Sequence, residues 1–213
     1  MVRPGSMSIT PNAEAVSILN ILCRDTKNCV FIVSGTERKT FTEWFSSCER
    51  IGIVAEHGYF VRTNRNAEWD TWCPVPDFEW KQIAEPIMQL YMETTDGSNI
   101  EAKESALVWN YEYANRDFGS CQAKELFDHL ESALANEPVS VKSSPNIVVV
   151  KPQGVSNGIV AERLLLTMQQ KGVFLDFVLC IGDDRSDEDM FGVIMNGKAT
   201  LSPVAEVFPC TVG

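Results

Sequence analysis

The stretch that decides the fold lies at residues 177–191, which read FVLCIGDDRSDEDMF. Its first five residues are continuously apolar, a pattern typical of a strand that is buried on both faces of a sheet. The run stops at Gly182, and the residues that follow include Asp183, Asp184 and Asp187. Carboxylates at the carboxyl end of such a strand lie where open α/β sheets bind their ligands. This stretch therefore predicts an α/β core with a polar site at one edge of its sheet.

Helices and strands alternate at both ends of the chain, which is typical of an α/β core. Thr10 is a predicted N-cap for the first helix, because proline follows it at the first helical position. The N-terminal part is predicted to form helix, strand, helix and strand, at residues 11–24, 29–33, 38–47 and 51–55. The C-terminal part is predicted to form the same series, at residues 157–171, at 177–181, from about 187, and at 207–212.

The middle of the chain has a different pattern, typical of an α+β domain inserted into the core. Strand-like alternation occurs within residues 99–113, and the runs before and after a Ser-Ser-Pro turn predict a hairpin. Helices are predicted over 77–94 and 119–135. The predicted domain organisation is therefore a first core segment at 1–68, the inserted domain at 69–152 and a second core segment at 153–213.

The amino-acid composition argues against some classes of binding partner. The 213-residue chain has a formal net charge of −11, which argues against nucleic acid and anionic membranes as partners. An acidic protein that binds a phosphorylated ligand needs a local positive charge, such as a metal ion or a lysine. The seven cysteines are odd in number and irregular in spacing, which favours a reduced protein of the cytoplasm. No stretch approaches the roughly 20 apolar residues of a membrane-spanning helix.

The acidic loop has two interpretations from its residues alone. Carboxylate oxygens on a tight loop suit Mg²⁺, which takes one or two carboxylates and completes its octahedron with water and phosphate oxygens. A solvated acidic helix start is the alternative, since acidic residues favour the first turn of a helix. The apolar strand that precedes the loop favours the metal.

Five segments occur in the order found in one family. They are FIVSG at 31–35, AEHGY at 55–59, EAKES at 101–105, KPQGVS at 151–156 and GDDRSDEDMF at 182–191. The chain resembles the trehalose-6-phosphate phosphatases of the haloacid dehalogenase superfamily. The sequences of these segments are most similar to those of the phosphatase-like C-terminal domain of the class II plant trehalose-phosphate synthases. The resemblance implies a haloacid-dehalogenase-like Rossmannoid core, an inserted α+β cap domain, Mg²⁺ as the cofactor, and trehalose-6-phosphate as the ligand.

The resemblance also assigns roles to particular residues. It implies phosphate binding by Ser34 and Asn157, metal binding by Asp183, Asp184 and Asp187, and sugar binding by Glu101, Lys103 and His57. Some of these residues also have a purely structural interpretation. A serine in this position also serves as a helix N-cap, a Glu–Lys pair as a surface salt bridge, and a lone histidine as a structural residue.

The family's D-x-D-G-T motif, which carries the aspartate nucleophile and the general acid, does not occur in the 213 residues. The resemblance therefore implies an N-terminally truncated form whose first, central strand is missing, which is expected to fold poorly by itself. Asn157 replaces the family's phosphate lysine, and Thr36 replaces an arginine.

Three hypotheses follow from this set of residues. The first is a domain descended from a phosphatase, without catalytic residues and without activity. The second is a regulatory or sugar-phosphate-sensing module. A nucleotide-binding protein is the weakest of the three, because the chain has no glycine-rich phosphate loop.

Overall fold

The computed structural model describes residues 10–72, 77–183, 185–196, 202 and 204–212. The chain divides into two compact units, residues 1–72 and residues 73–213. The division after Trp72 lies close to the predicted start of the inserted domain at residue 69, and the predicted boundary after residue 152 falls within the second unit.

The first unit contains a four-stranded sheet and two helices. Its elements in chain order are α1 (Ala13–Arg24), β1 (Phe31–Val33), α2 (Arg38–Trp44), β2 (Gly52–Ala55), β3 (Phe60–Arg62) and β4 (Asp70–Thr71). The strands lie in the order β1-β2-β3-β4, with β1 and β2 parallel and the other pairs antiparallel. Strands β3 and β4 were not predicted, because both are too short to show an apolar pattern.

The predicted N-cap at Thr10 is wrong. Helix α1 begins one residue after Asn12, and the Asn12 side chain accepts a hydrogen bond of 2.9 Å from the Glu14 N–H. Thr10 and Asn12 are both good capping residues. The pattern around Pro11 therefore does not distinguish between them, and the backbone geometry selects the second.

The second unit begins with the predicted α+β arrangement. Its elements are α3 (Trp80–Thr94), β5 (Asn99–Ala102), β6 (Leu107–Asn110), α4 (Arg116–Ala133), β7 (Val139–Ser144) and β8 (Ile147–Pro152). The strands form an antiparallel sheet in the order β5-β6-β8-β7. Alternate residues of β6 and β8 are buried in one apolar cluster with residues of both helices: Leu107, Trp109, Val148 and Val150 with Trp80, Met88, Leu126 and Leu130. One face of the sheet is thus covered by α3 and α4.

The rest of the second unit returns to the α/β pattern. It consists of α5 (Asn157–Gln170), β9 (Phe177–Gly182), α6 (Arg185–Asn196) and β10 (Glu206–Thr211). Strands β9 and β10 are parallel. A second apolar cluster joins these elements through Ala161, Leu165, Cys180, Met190 and Ile194. The prediction of an α/β protein with an α+β portion is confirmed.

The expectation that β1 and β9 are buried on both faces is wrong. In β9 the side chains of Phe177, Leu179 and Ile181 are 55%, 52% and 59% exposed, and β1 is only half-buried. Within the part of the chain that the structure describes, β1 pairs only with β2, and β9 pairs only with β10. Among the described residues, each of these strands therefore has an open edge, and one face of β9 is largely exposed.

Leu179→Lys tests the exposure of this face. We expect the lysine to reduce association between chains several-fold in light scattering, because charges on edge strands oppose sheet-to-sheet pairing. The free energy of unfolding in urea should change by less than about 0.5 kcal/mol. The control is Cys180→Lys, whose side chain points to the buried face of the same strand and should lose at least about 2 kcal/mol. An equal loss in both variants would contradict the exposure of Leu179.

Candidate functional site

The carboxyl ends of β1 and β2 bring two of the predicted site residues together. The two strands are parallel, so the residues that follow them meet at one edge of the sheet. The Ser34 N–H donates to the Val54 carbonyl at 3.1 Å, and the His57 N–H donates to the Ser34 carbonyl at 2.9 Å. Ser34 and His57 are therefore joined by a backbone hydrogen bond in the first unit.

The hydroxyl of Ser34 stabilises a local turn. Its Oγ accepts a hydrogen bond of 3.2 Å from the Thr36 N–H and lies 3.1 Å from the Thr36 Oγ1. Helix α2 has Glu37 as its N-cap residue, without a side-chain capping bond. The alternative that Ser34 caps this helix is therefore wrong. A hydroxyl both donates and accepts, so this turn leaves Ser34 able to contact a phosphate oxygen.

The turn after β2 has an unusual backbone. Glu56, His57 and Gly58 have φ values of 50°, 57° and 111°, all in the left-handed region. For Glu56 and His57 this conformation costs free energy, and it persists only where the surroundings enforce it. A Cβ at Gly35 would overlap the imidazole of His57, so a larger residue would displace this ring. The packing of Gly35 against His57 is one of the contacts that hold the turn.

In the second unit, the Asp187 carboxylate joins three elements. Its Oδ2 accepts a hydrogen bond of 3.0 Å from the Asp183 N–H, and its Oδ1 accepts one of 3.0 Å from the Asn157 side-chain amide. A Cβ at Gly182 would overlap this carboxylate, which explains the glycine at the end of β9. The starts of α5 and α6 and the end of β9 therefore meet at Asp187.

Two of the three predicted metal ligands, Asp183 and Asp187, lie at this junction. The described residues contain no group of three or more His, Cys, Asp or Glu side chains placed to hold a metal ion. Both oxygens of the Asp187 carboxylate accept hydrogen bonds, and Asp183 takes part in them through its backbone N–H. Asp184, the third predicted ligand, lies outside the described residues.

The predicted sugar-binding pair lies at the end of β5, also in the second unit. Glu101 is exposed and Lys103 is half-buried. The Lys103 N–H donates to the Ala106 carbonyl at 2.9 Å, so the ladder between β5 and β6 continues to residue 103. The two residues are two positions apart on a strand, so their side chains point to the same face.

Sequence reasoning missed a charged residue in this unit. Lys151 at the end of β8 is only 7% exposed. Burial lowers the pKa of its amine from 10.5 to about 8, the positive charge of Lys142 lowers it further, and Asp189 opposes the shift. Side chains alternate between the two faces of the sheet along β8. This alternation places Lys151 on the face opposite that of Val148 and Val150.

Comparison with known proteins identifies relatives across the chain. The family model described as trehalose-phosphatase matches residues 1–213. The Arabidopsis thaliana UDP-forming alpha,alpha-trehalose-phosphate synthases numbered 5 and 6 are 65% and 60% identical over the whole chain. In both cases the chain spans 25% of the relative's length.

Solved structures share the fold. The C-terminal domain of Candida albicans trehalose-6-phosphate phosphatase has a TM-score of 0.86 at 31% identity, covering 100% of this chain and 78% of that one. The C-terminal domain of the Candida albicans trehalose synthase regulatory protein has a TM-score of 0.74 at 16% identity, covering 92% of this chain and 77% of that one. The second likeness is one of fold alone. The haloacid-dehalogenase-like fold expected from the sequence is confirmed.

The substitution Lys151→Met tests how far burial of the Lys151 amine lowers the free energy of unfolding. Between pH 8 and 10.5 the unfolded chain binds more protons than the folded chain, so wild-type stability should rise with pH across this window. The variant removes the desolvation cost and should be more stable by about 2 kcal/mol at pH 7. This gain should fade as the pH approaches 10.5.

Urea unfolding at several pH values in phosphate-free buffer measures the effect. The control is Lys124→Met, on the exposed side of α4, which should change stability little at any pH. If Lys151→Met were less stable than wild type by the same amount at every pH, the amine would not be buried at a cost.

Proposed function

Because this chain belongs to the trehalose-phosphatase family, we propose that it binds a phosphorylated disaccharide, trehalose-6-phosphate, without hydrolysing the phosphate ester. It is a trehalose-phosphatase-like domain related to domains of plant trehalose-phosphate synthases. The relatives are four times as long as this chain, so the activity of a complete protein of that kind is a separate question.

The observation that carries the proposal is the hydrogen bond from Asn157 to Asp187. An asparagine amide is neutral and is already engaged by a carboxylate, so it does not offset the charge that develops during phosphoryl transfer. Binding without turnover is the function that these residues support.

Other residues support the binding of the ligand. Glu101 in β5 and Lys103 just after this strand suit hydrogen bonds to sugar hydroxyls, which both donate and accept. The Ser34 hydroxyl suits a phosphate oxygen, and the strained turn at His57 is the kind of backbone found at binding sites. We propose Asp183, Asp184 and Asp187 as ligands of a weakly held Mg²⁺, which would offset part of the charge of a bound phosphate.

The alternative is a domain that retains the fold and binds no sugar phosphate.

None of the described helices is long and apolar enough to cross a membrane. The odd number of cysteines and their irregular spacing support a cytoplasmic location, where trehalose-6-phosphate would be accessible to a sensor of this kind.

Calorimetry with trehalose-6-phosphate, with and without Mg²⁺, tests binding, and an assay of released phosphate tests turnover. We expect saturable binding and no release of phosphate above the rate of a protein-free control. Asp187→Asn should weaken the Mg²⁺-dependent part of binding several-fold, because it removes a carboxylate from the loop. Steady release of phosphate that Asp187→Asn abolishes would contradict the proposal, and so would the absence of any binding.

The substitution Asn157→Lys tests whether the lack of charge at residue 157 limits the binding of trehalose-6-phosphate. The new cation should strengthen binding of trehalose-6-phosphate by up to about tenfold, the equivalent of 1.4 kcal/mol, and still produce no turnover. Asn157→Gln is the matched control, because it retains the amide and adds no charge. Equal affinities in the two variants would show that charge at residue 157 does not limit phosphate binding.

A further inference from the structure

A cavity of about 600 Å³ lies in the first unit, between α1 and the loop that precedes β2. Most of the α1 residues that line it recur at steps of three and four, as residues on one side of a helix do. The lining side chains that carry nitrogen or oxygen atoms are Ser17, Asn20, Arg24, Ser47, Glu49 and Arg50. The volume is within the range of sites that bind small molecules. We call this space the α1 cavity.

The α1 cavity is separate from the site that contains Ser34 and His57. Those residues follow the carboxyl ends of β1 and β2, whereas Arg50 lies two residues before the start of β2. The four residues of β2 span about 13 Å between these two edges of the sheet. The α1 cavity is therefore a second candidate site of the first unit, at the opposite edge of its sheet.

Two arginines supply the positive charge of the cavity. The Arg50 Nη1 donates a long hydrogen bond of 3.5 Å to the Arg24 carbonyl, which brings the Arg50 side chain to the last turn of α1. Both side chains are exposed, and neither forms an ion pair with a carboxylate of the described residues. The chain has 29 acidic residues for 18 basic ones, so carboxylates are not scarce. These two guanidinium groups thus remain available to an anion, whose oxygens match their fork of N–H groups.

The positive charge extends from the rim of the cavity to its floor. Cys23, which is only 6% exposed, forms part of that floor. Burial raises the pKa of the Cys23 thiol, the Cys48 thiol raises it further, and the Arg50 guanidinium opposes the shift. Arg50 is therefore close enough to act on the buried thiol as well as on a molecule inside the cavity.

The uncharged polar groups of the cavity are also available. Ser17, Asn20 and Ser47 make no side-chain hydrogen bond within the part of the chain that the structure describes. Hydroxyl and amide groups both donate and accept, so they suit the hydroxyl groups of a ligand. Val16 and Ile21 add apolar surface for a carbon skeleton. A few converging polar groups beside an apolar wall are typical of a small-molecule site.

We propose that the α1 cavity binds a small hydroxylated anion, whose carboxylate or phosphate group contacts Arg24 and Arg50 and whose hydroxyl groups contact Asn20 and the neighbouring serines. The Glu49 carboxylate repels a second anionic group, so the ligand carries its charge at one end. The inference goes beyond the proposed function, because no residue of the cavity belongs to the residues assigned to trehalose-6-phosphate.

Calorimetry on the full chain, in phosphate-free buffer with EDTA, tests the class of ligand. The probes are glucose-6-phosphate, gluconate, glucose and inorganic phosphate. We expect saturable binding of glucose-6-phosphate or gluconate, and the tighter of the two identifies the charged group. Glucose lacks the charge and inorganic phosphate lacks the hydroxylated skeleton, so each should bind at least about tenfold more weakly.

Substitutions in the cavity test its residues. Arg50→Gln should weaken binding of the charged probe at least about tenfold, and Arg24→Gln about three- to tenfold, because each removes a cation. Glu49→Gln should strengthen it, because repulsion is removed. The matched control is Arg65→Gln, which removes the same charge from an exposed arginine of the first unit outside the cavity and should leave the affinity unchanged. All four side chains are exposed, so these variants should retain the fold.

Alkylation by iodoacetamide, followed by mass spectrometry of peptides, locates the bound probe. The charged probe should slow alkylation of Cys23 several-fold, because it covers the cavity that Cys23 lines. Alkylation of Cys121, which is exposed on α4, should keep its rate.

The outcomes separate this proposal from the function of the domain. Binding that Arg50→Gln weakens and Arg65→Gln does not supports the α1 cavity, even if trehalose-6-phosphate fails to bind and the proposed function is lost. If the charged probes bind equally well to wild type, Arg24→Gln and Arg50→Gln, or do not bind, the α1 cavity is overturned. Inorganic phosphate that binds as tightly as glucose-6-phosphate overturns the hydroxylated ligand. Trehalose-6-phosphate binding that Asp187→Asn weakens and Arg50→Gln leaves unchanged supports two separate sites.

Discussion

The period of two along β5, β6, β8 and β7 is the constraint on which the second unit depends. It directs Leu107, Trp109, Val148 and Val150 towards α3 and α4, and these residues are buried. The same alternation directs the residues between them to the opposite face. A shift of register by one residue would exchange the two faces and place lysines in the apolar core. The stability of the core and the position of the charged residues are therefore set by one pattern.

A second constraint is the charge balance at the starts of α5 and α6. The Asp187 carboxylate accepts hydrogen bonds from Asn157 and from the backbone of Asp183, and it holds the end of β9 in place. A lysine at position 157 would add a cation to this place, whereas the asparagine adds only a dipole. The hydrogen bond retains the arrangement of the loop without the charge that phosphoryl transfer requires. The loop thus keeps its arrangement although residue 157 carries no charge.

Among the described residues, β1 and β9 each have an open edge. Each strand keeps one hydrogen-bonded neighbour, and β9 keeps one buried face through Cys180. The other face of β9 exposes Phe177, Leu179 and Ile181 to solvent. Such a face attracts other apolar surfaces, because burial of apolar area is favourable wherever a partner is available.

By itself, the sequence determined the family, the α/β class, the helices and most of the strands, since these follow from the local pattern of apolar residues. It also indicated the acidic loop. Only the tertiary structure decided which of the predicted residues lie together: Ser34 with His57, and Asn157 with Asp187. The left-handed turn at Glu56 and His57 has no local signal in the sequence, and the period of two along β8 gives the face of Lys151 but not its burial. The turn and this burial depend on contacts between residues far apart in the chain, such as Gly35 with His57, which only the folded backbone brings together.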